Sequence, residues 1–361
     1  MCLYTKIQKD KLNPQAYGLI PRLWRHLLFL ILNPARLLFL STLLRGTFIA
    51  FSSTSWFTAW LGLELNLLSF IPIISYKSNL YSSEAALKYF LVQALGSAII
   101  LARAPGFLLF NFSPDITITS ALLLKIGAAP VHFWFPPVIQ GIGWIQCAIL
   151  ITIQKIAPIL MLSYLIRETT ITLIFVASIL SGLVGGLGGL NQTLIRKIIA
   201  YSSINHIAWI LAAVSIRTPL WFNYFLLYRL VSTSVVCIIQ SQQIFHFKQT
   251  SNLTHQSTLL KITTLFALLS LGGLPPFLGF MPKLIVIKAL IASRAGVWLS
   301  VLLLRALITL FYYLRVMITS LTLSSPKNKR ASTTPLVALL RGISFINLTP
   351  LLTPLVTALP F

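Results

Sequence analysis

The sequence predicts an all-α, polytopic membrane protein of about ten or eleven transmembrane helices. Three observations carry that expectation. Of 361 residues, 57% are hydrophobic and 9% charged, and the mean hydropathy is +0.88, so a water-soluble globule would leave most of its surface apolar. The apolar residues stand in continuous runs of about 20, the length an α-helix needs to cross a ~30 Å hydrocarbon core, and not in the ten-residue alternations of barrel strands. The polar joints between runs are short.

Taken in order, the first run predicts a helix over 31–53. The second, 55–75, holds "WLGLELNLLSFIPII" with Glu64 at its centre. "KSNLYSSE" at Lys77 to Glu84 reads as a loop, and apolar residues resume over 84–104 and 116–130. Helices follow over 144–166, 171–189, 194–215 and 219–243. The joint "SQQIFHFKQTSNLTHQS", Ser241 to Ser257, separates these from 258–279. The stretch 285–320 reads as one long or interrupted unit. After "SSPKNKRASTT", Ser324 to Thr334, a last helix is predicted over 334–358. The chain thus divides into an N-terminal extension, 1–30, a transmembrane domain, 31–320, and a polar joint with a C-terminal apolar segment, 321–361. No joint is long enough to hold a soluble domain, so the chemistry lies inside the membrane or with neighbours.

Several function classes are excluded. The net charge is +23, but the basic residues are scattered through apolar runs instead of lining a solvated face with aromatics between them, which argues against nucleic acid as a partner. Cys2, Cys147 and Cys237 are far apart and match neither a disulfide framework nor a metal-ligand spacing. There is no phosphate loop, nucleotide fingerprint or catalytic triad pattern. Gly185, Gly186, Gly188 and Gly189 in "LVGGLGGLNQT" stand inside an apolar span, where close helix packing is the expected use of small residues.

Charges inside spans are informative, because each costs ~2.5–3.5 kcal/mol at a helix centre on insertion scales. Four stand out: Glu64, Lys125 in "LLLKIGAAP", Lys155 in "TIQKIAP" and Lys283 in "GFMPKL". Lys125 and Lys155 are each followed within five residues by proline, and Lys283 follows "LSLGGLPPF". Such prolines and glycines interrupt the backbone ladder, which is tolerated at membrane depth only where the freed groups line protein or water. An interrupted segment in each half of a chain points to an ion path in folds built from repeats. A buried carboxyl that makes and breaks a pair with a buried ammonium is a proton switch. The bland reading is a satisfied structural pair, with lysines that snorkel to the interface. Two histidines are secondary candidates. His132 and Trp134 lie where a broken helix leaves its apolar run, as a wet extension of the path or as interfacial anchors. His206, beside Ser202, Ser203 and Asn205 in "SSINHIAW", faces a hydrated channel or a helix partner.

"GLELN", "EAALKYFLVQA", "LKIGAAPVHFWFPPV", "QKIAP", "GGLNQTLIRKIIAYSSINHIAW", "LSLGGLPPFLGFMPK" and "FYYLR" stand in this order over Ile31 to Val316. In order and spacing they resemble the NADH:ubiquinone oxidoreductase chain 2 family, antiporter-like subunits of mitochondrial respiratory complex I. The resemblance implies discontinuous helices in an inverted repeat and a place in the membrane arm, in the mitochondrial inner membrane, where the chain helps translocate protons as electrons pass from NADH to ubiquinone. It implies that NAD, FMN, iron–sulfur clusters and ubiquinone are bound by other subunits and no cofactor by this chain. Its partners would be the other membrane-arm subunits and the lipid bilayer. By the same carry-over Glu64 pairs with Lys125, Lys155 is the central relay and Lys283 passes charge to the next subunit. A stand-alone cation/proton antiporter and a non-pumping structural spacer share the broken helices and remain the alternative readings.

The chain departs from that pattern in places. Pro137 stands where the family usually has Glu, and Ile153 where it usually has Trp. Residues 1–30 have no counterpart and suit a transit peptide or, better, a reading frame opened too far upstream. Arg45, Arg103, Arg229, Arg305 and Arg341 interrupt apolar cores in a chain with only five acidic residues to pair them. The family tends to place small residues there. Serine codons of invertebrate mitochondria read with the standard code would produce all five, and the scarcity of methionine, at 4, fits a second codon read as isoleucine.

Overall fold

The computed structural model describes residues 34–75, 79–103, 115–216, 219–246, 249 and 258–322. Twelve helices account for nearly all of them: α1 Pro34–Ser52, α2 Trp56–Ser75, α3 Leu80–Arg103, α4 Asp115–Ile126, α5 Phe135–Gly141, α6 Trp144–Tyr164, α7 Glu168–Leu190, α8 Ile195–Ser215, α9 Leu220–Gln242, α10 Thr258–Gly272, α11 Phe280–Ala292 and α12 Gly296–Thr322. Eight are long and apolar enough to cross a membrane: α1, α2, α3, α6, α7, α8, α9 and α12. The other four form two discontinuous crossings. α4 and α5, of 12 and 7 residues, are about 18 and 10 Å long at the helical rise. α10 and α11, of 15 and 13 residues, are about 22 and 20 Å. Neither member of the first pair spans a ~30 Å core alone.

Both interruptions have the same local cause. Gly127 and Gly273 take φ of +77° and +74°, a left-handed conformation that costs a residue with Cβ ~1–2 kcal/mol. At the first, the Ala128 amide donates to the Leu123 carbonyl at 3.0 Å and the Gly127 amide to Leu124 at 3.1 Å. At the second, Leu274 donates to Leu269 at 3.5 Å and Gly273 to Ser270 at 3.1 Å. This is the Schellman closure, in which glycine just past the last helical residue lets two amides turn back onto orphan carbonyls. Proline in the first turn of the next helix, Pro136 and Pro137 in α5 and Pro282 in α11, is tolerated because those amides have no intrahelical acceptor.

These breaks correct two expected boundaries: the helix expected over 116–130 ends at Ile126 and gives way to the unpredicted α5, and that over 258–279 ends at Gly272. The unit expected over 285–320, long or interrupted, is interrupted into α11 and α12, and it starts earlier, at Phe280. α3 starts at Leu80, so five of the eight residues of the loop expected at Lys77 to Glu84 are helical. Pro158 does not interrupt α6, which runs through it to Tyr164. The extension 1–30 and the helix expected over 334–358 lie outside the described residues.

α8 is the axis of the bundle. It is buried nearly all round and packs against α5, α6, α7, α9, α11 and α12. Two glycines of α7 seat it: a Cβ on Gly185 would come within 2.6 Å of the Asn205 backbone and one on Gly188 would strike the Tyr201 ring, while one on Gly189 would meet Tyr312 of α12 at 2.7 Å. The expected close packing is therefore present. Arg45, Arg103 and Arg229 are exposed on outer helix faces, not inside the core, and Arg45 lies between Leu44 and Phe48, themselves 55% and 68% exposed. Arg305 alone of the described four turns inward, where its Cδ lies 3.4 Å from a Cβ built on Gly186 and its Nε is buried without a hydrogen-bond partner among the described residues.

Candidate functional site

The breaks leave backbone carbonyls at membrane depth, and the side chains that satisfy them define the site. At the first break the Gln93 carboxamide, from α3, donates to the Lys125 carbonyl at 3.1 Å, and the Trp134 indole donates to the Leu124 carbonyl at 3.1 Å. Trp134 is buried, so it staples the break from inside and is not an interfacial anchor. His132 lies in the same turn, its Nδ1 3.2 Å from the Pro130 carbonyl and its ring against Phe133. At the second break Lys283 itself does this work, donating from Nζ to the Gly272 carbonyl at 2.8 Å. A Cβ on Gly273 would fall 2.7 Å from that nitrogen, so the glycine that turns the chain also makes room for the ammonium.

All three lysines are buried, at 5%, 2% and 5% exposure for Lys125, Lys155 and Lys283. Lys125 is the penultimate residue of α4, and its stem lies where Gly96 of α3 leaves space: a Cβ there would be 3.0 Å from Cγ. Lys155 projects from α6 towards the start of α5, its Nζ 4.4 Å from the centre of the Phe135 ring and without a hydrogen-bond partner among the described residues. Lys125 and Lys155 line one small cavity of about 10 Å³, with Tyr89, Gln93, Trp134 and Gln154 around it. That is about the space of one water.

Glu64 sits on α2, half-buried, with Oε2 enclosed and unpartnered among the described residues. The ion pairs among those residues are Glu84–Lys88, at 2.6 Å on the outer face of α3, and Asp115–Arg167, at 2.7 Å. The expected Glu64–Lys125 contact is thus not formed within 4.0 Å in this conformation. α2 and α4 each pack on α3. The two charges still act on each other electrostatically.

His206 stands on α8 with Nδ1 3.0 Å from the Tyr224 hydroxyl and its ring 4.6 Å from that of Tyr228. It lines a second cavity of about 10 Å³ with Tyr224, Tyr228, Ser270 and Pro282, beside the second break. Both Lys283 and Lys155 lie within its electrostatic reach. The neighbouring Ser202 and Ser203 donate back to their own helix, to Ile199 and Ala200, and Ser203 is also hydrogen-bonded to Tyr228, whose ring lies against His206.

The residues that sequence reasoning missed are neutral. Gln93, Gln154 and Tyr89 occur within quoted motifs, yet only the structure shows that they surround the lysine cavity. The available signal was a glutamine twice inside apolar spans, at Gln93 and Gln154. Among the described residues no three His, Cys, Asp or Glu side chains gather as a metal site would need.

The family described as NADH:quinone oxidoreductase/Mrp antiporter, TM, matches residues 53–114 and 109–309. The chain is 46% identical over 300 residues to NADH-ubiquinone oxidoreductase chain 2 of Anopheles gambiae, covering 81% of this chain and 87% of that one. The chain 2 of Aedes aegypti is 44% identical over the same coverage. A chain of respiratory complex I from Thermus thermophilus has the same fold, with a TM-score of 0.74 at 24% identity over 88% of this chain and 78% of that one.

Proposed function

The chain belongs to the NADH-ubiquinone oxidoreductase chain 2 family, and from that membership we propose that its buried ionisable residues form a proton relay across the membrane arm. It is a core membrane-arm subunit of respiratory complex I in the mitochondrial inner membrane, contributing to proton translocation coupled to electron transfer from NADH to ubiquinone. Its partners are the other membrane-arm subunits and the bilayer. In this reading the chain carries no redox site of its own, and NAD, FMN, iron–sulfur clusters and ubiquinone are bound by other subunits.

The observation that supports the relay is the single cavity that Lys125 and Lys155 share at the first helix break. Two ionisable amines on the wall of one small cavity can pass a proton between them through it. Glu64 is the modulating partner of Lys125. Lys155 is then the central carrier and His206 the link towards Lys283. Lys283, held by the Gly272 carbonyl, is the group that communicates with the next subunit. His132 keeps its place as a positioning contact of the first break.

The test is Lys155→Met in the complex, reconstituted in liposomes. The relay predicts an assembled complex whose proton translocation and coupled NADH:ubiquinone turnover fall together. Undiminished pumping by that variant would remove the relay and leave the non-pumping spacer.

A further inference from the structure

Three donors around the Lys125–Lys155 cavity are already committed. The Gln93 amide is spent on the Lys125 carbonyl and the Trp134 indole on the Leu124 carbonyl. The Tyr89 hydroxyl donates to Gln154 Oε1 at 3.1 Å. In this arrangement the Gln154 oxygen is held by Tyr89 and the nitrogen is left free. Gln154 Nε2 is buried with no hydrogen-bond partner among the described residues, as is Lys155 Nζ, on a side chain 2% exposed. A buried donor without an acceptor costs ~1–3 kcal/mol. Here two such donors line one cavity of about 10 Å³, the size that admits one water.

We propose that Gln154 is a positioning residue that holds a single water between Lys155 and Lys125, with Tyr89 fixing the orientation of its amide. The inference rests on the relay reading above. A water oxygen has two lone pairs and two O–H bonds. With one lone pair taken by Gln154 Nε2 and the other by the Lys155 ammonium, an O–H is turned towards Lys125. Transfer then balances: an N–H bond of the Lys155 ammonium breaks as its proton joins the water oxygen, while the water's own O–H proton passes to the free amine of Lys125. Water is regenerated and one positive charge has moved between the lysines. Gln154 never carries the proton. It sets the direction of the hydrogen bonds, and a side chain of the same size without the donor would let the water turn away.

The experiment compares Gln154→Leu, Tyr89→Phe and Lys155→Met in the reconstituted complex, by proton translocation, by the solvent deuterium isotope effect on coupled turnover, and by a density map that resolves water. The wild type should show a water between Gln154 Nε2 and Lys155 Nζ. Gln154→Leu should displace it, raise the isotope effect and cut translocation roughly ten- to a hundredfold, the scale of a misplaced reacting group. Tyr89→Phe should change both readouts in the same direction by less, and it serves alone if the leucine variant does not assemble. If Lys155→Met stops pumping while Gln154→Leu and Tyr89→Phe keep wild-type pumping and isotope effect, the Gln154 role is overturned and the relay stands. If Lys155→Met pumps normally, the relay itself falls and this role with it.

Discussion

Gly273→Ala probes the coupling of backbone and charge at the second break. An alanine there must hold φ near +74°, a strain of ~1–2 kcal/mol for a residue with Cβ. Its Cβ would lie 2.7 Å from Lys283 Nζ and 2.9 Å from Cδ, so the ammonium must leave the Gly272 carbonyl that it now meets at 2.8 Å. A hydrogen bond to a charged group contributes ~1.5–3 kcal/mol. Strain and lost bond together make roughly 2.5–5 kcal/mol, or about 10²- to 4 × 10³-fold less of the native lysine geometry at 1.4 kcal/mol per factor of ten. Gly272→Ala is the control, because a Cβ there meets only Tyr313 Cδ2, at an ordinary 3.6 Å, and the carbonyl remains. The assay is the number of protons translocated per NADH oxidised by each purified variant complex. Gly273→Ala should lose coupling with the complex assembled, and Gly272→Ala should retain it. Equal coupling in the two would refute the claim that this glycine exists to seat Lys283.

Two further expectations follow from the same geometry. Trp134→Phe keeps an aromatic ring but removes the indole donor to the Leu124 carbonyl, which retains the Gly127 amide, and the lost hydrogen bond should cost ~0.5–1.5 kcal/mol, read as a lower thermal inactivation temperature of the complex. Arg45 and Arg229, exposed on outer faces among apolar neighbours, would each cost ~2.5–3.5 kcal/mol near a helix centre; peptide masses from the mature chain should show serine there, and masses of arginine would end the codon explanation.

Hydropathy made the crossings legible, and the two breaks were visible as glycine and proline beside lysine. Their edges were not. "KIGAAP" continues helical propensity through two alanines, so the run reads as helix to residue 130, whereas the left-handed Gly127 ends it at Ile126. "FPPV" looks like a loop because prolines break helices, yet in the first turn they start one. The ionisable residues identified themselves by the cost of placing charge in an apolar run. Their partners did not, because partnership is a tertiary fact: Tyr89 and Gln154 are 65 positions apart, and neither carries a charge that would draw notice. Glu64 and Lys125 are the expected pair, and no ion pair joins them in this structure.

The central claim is that Lys125 and Lys155 act on one path. The most direct measurement is proton translocation per NADH oxidised by the complex with Lys125→Met, with Lys155→Met and with both. Residues that act as a unit are strongly non-additive, so a shared path predicts that the double variant pumps no worse than the poorer single one. Losses that multiply would place the two lysines on independent routes and contradict the account.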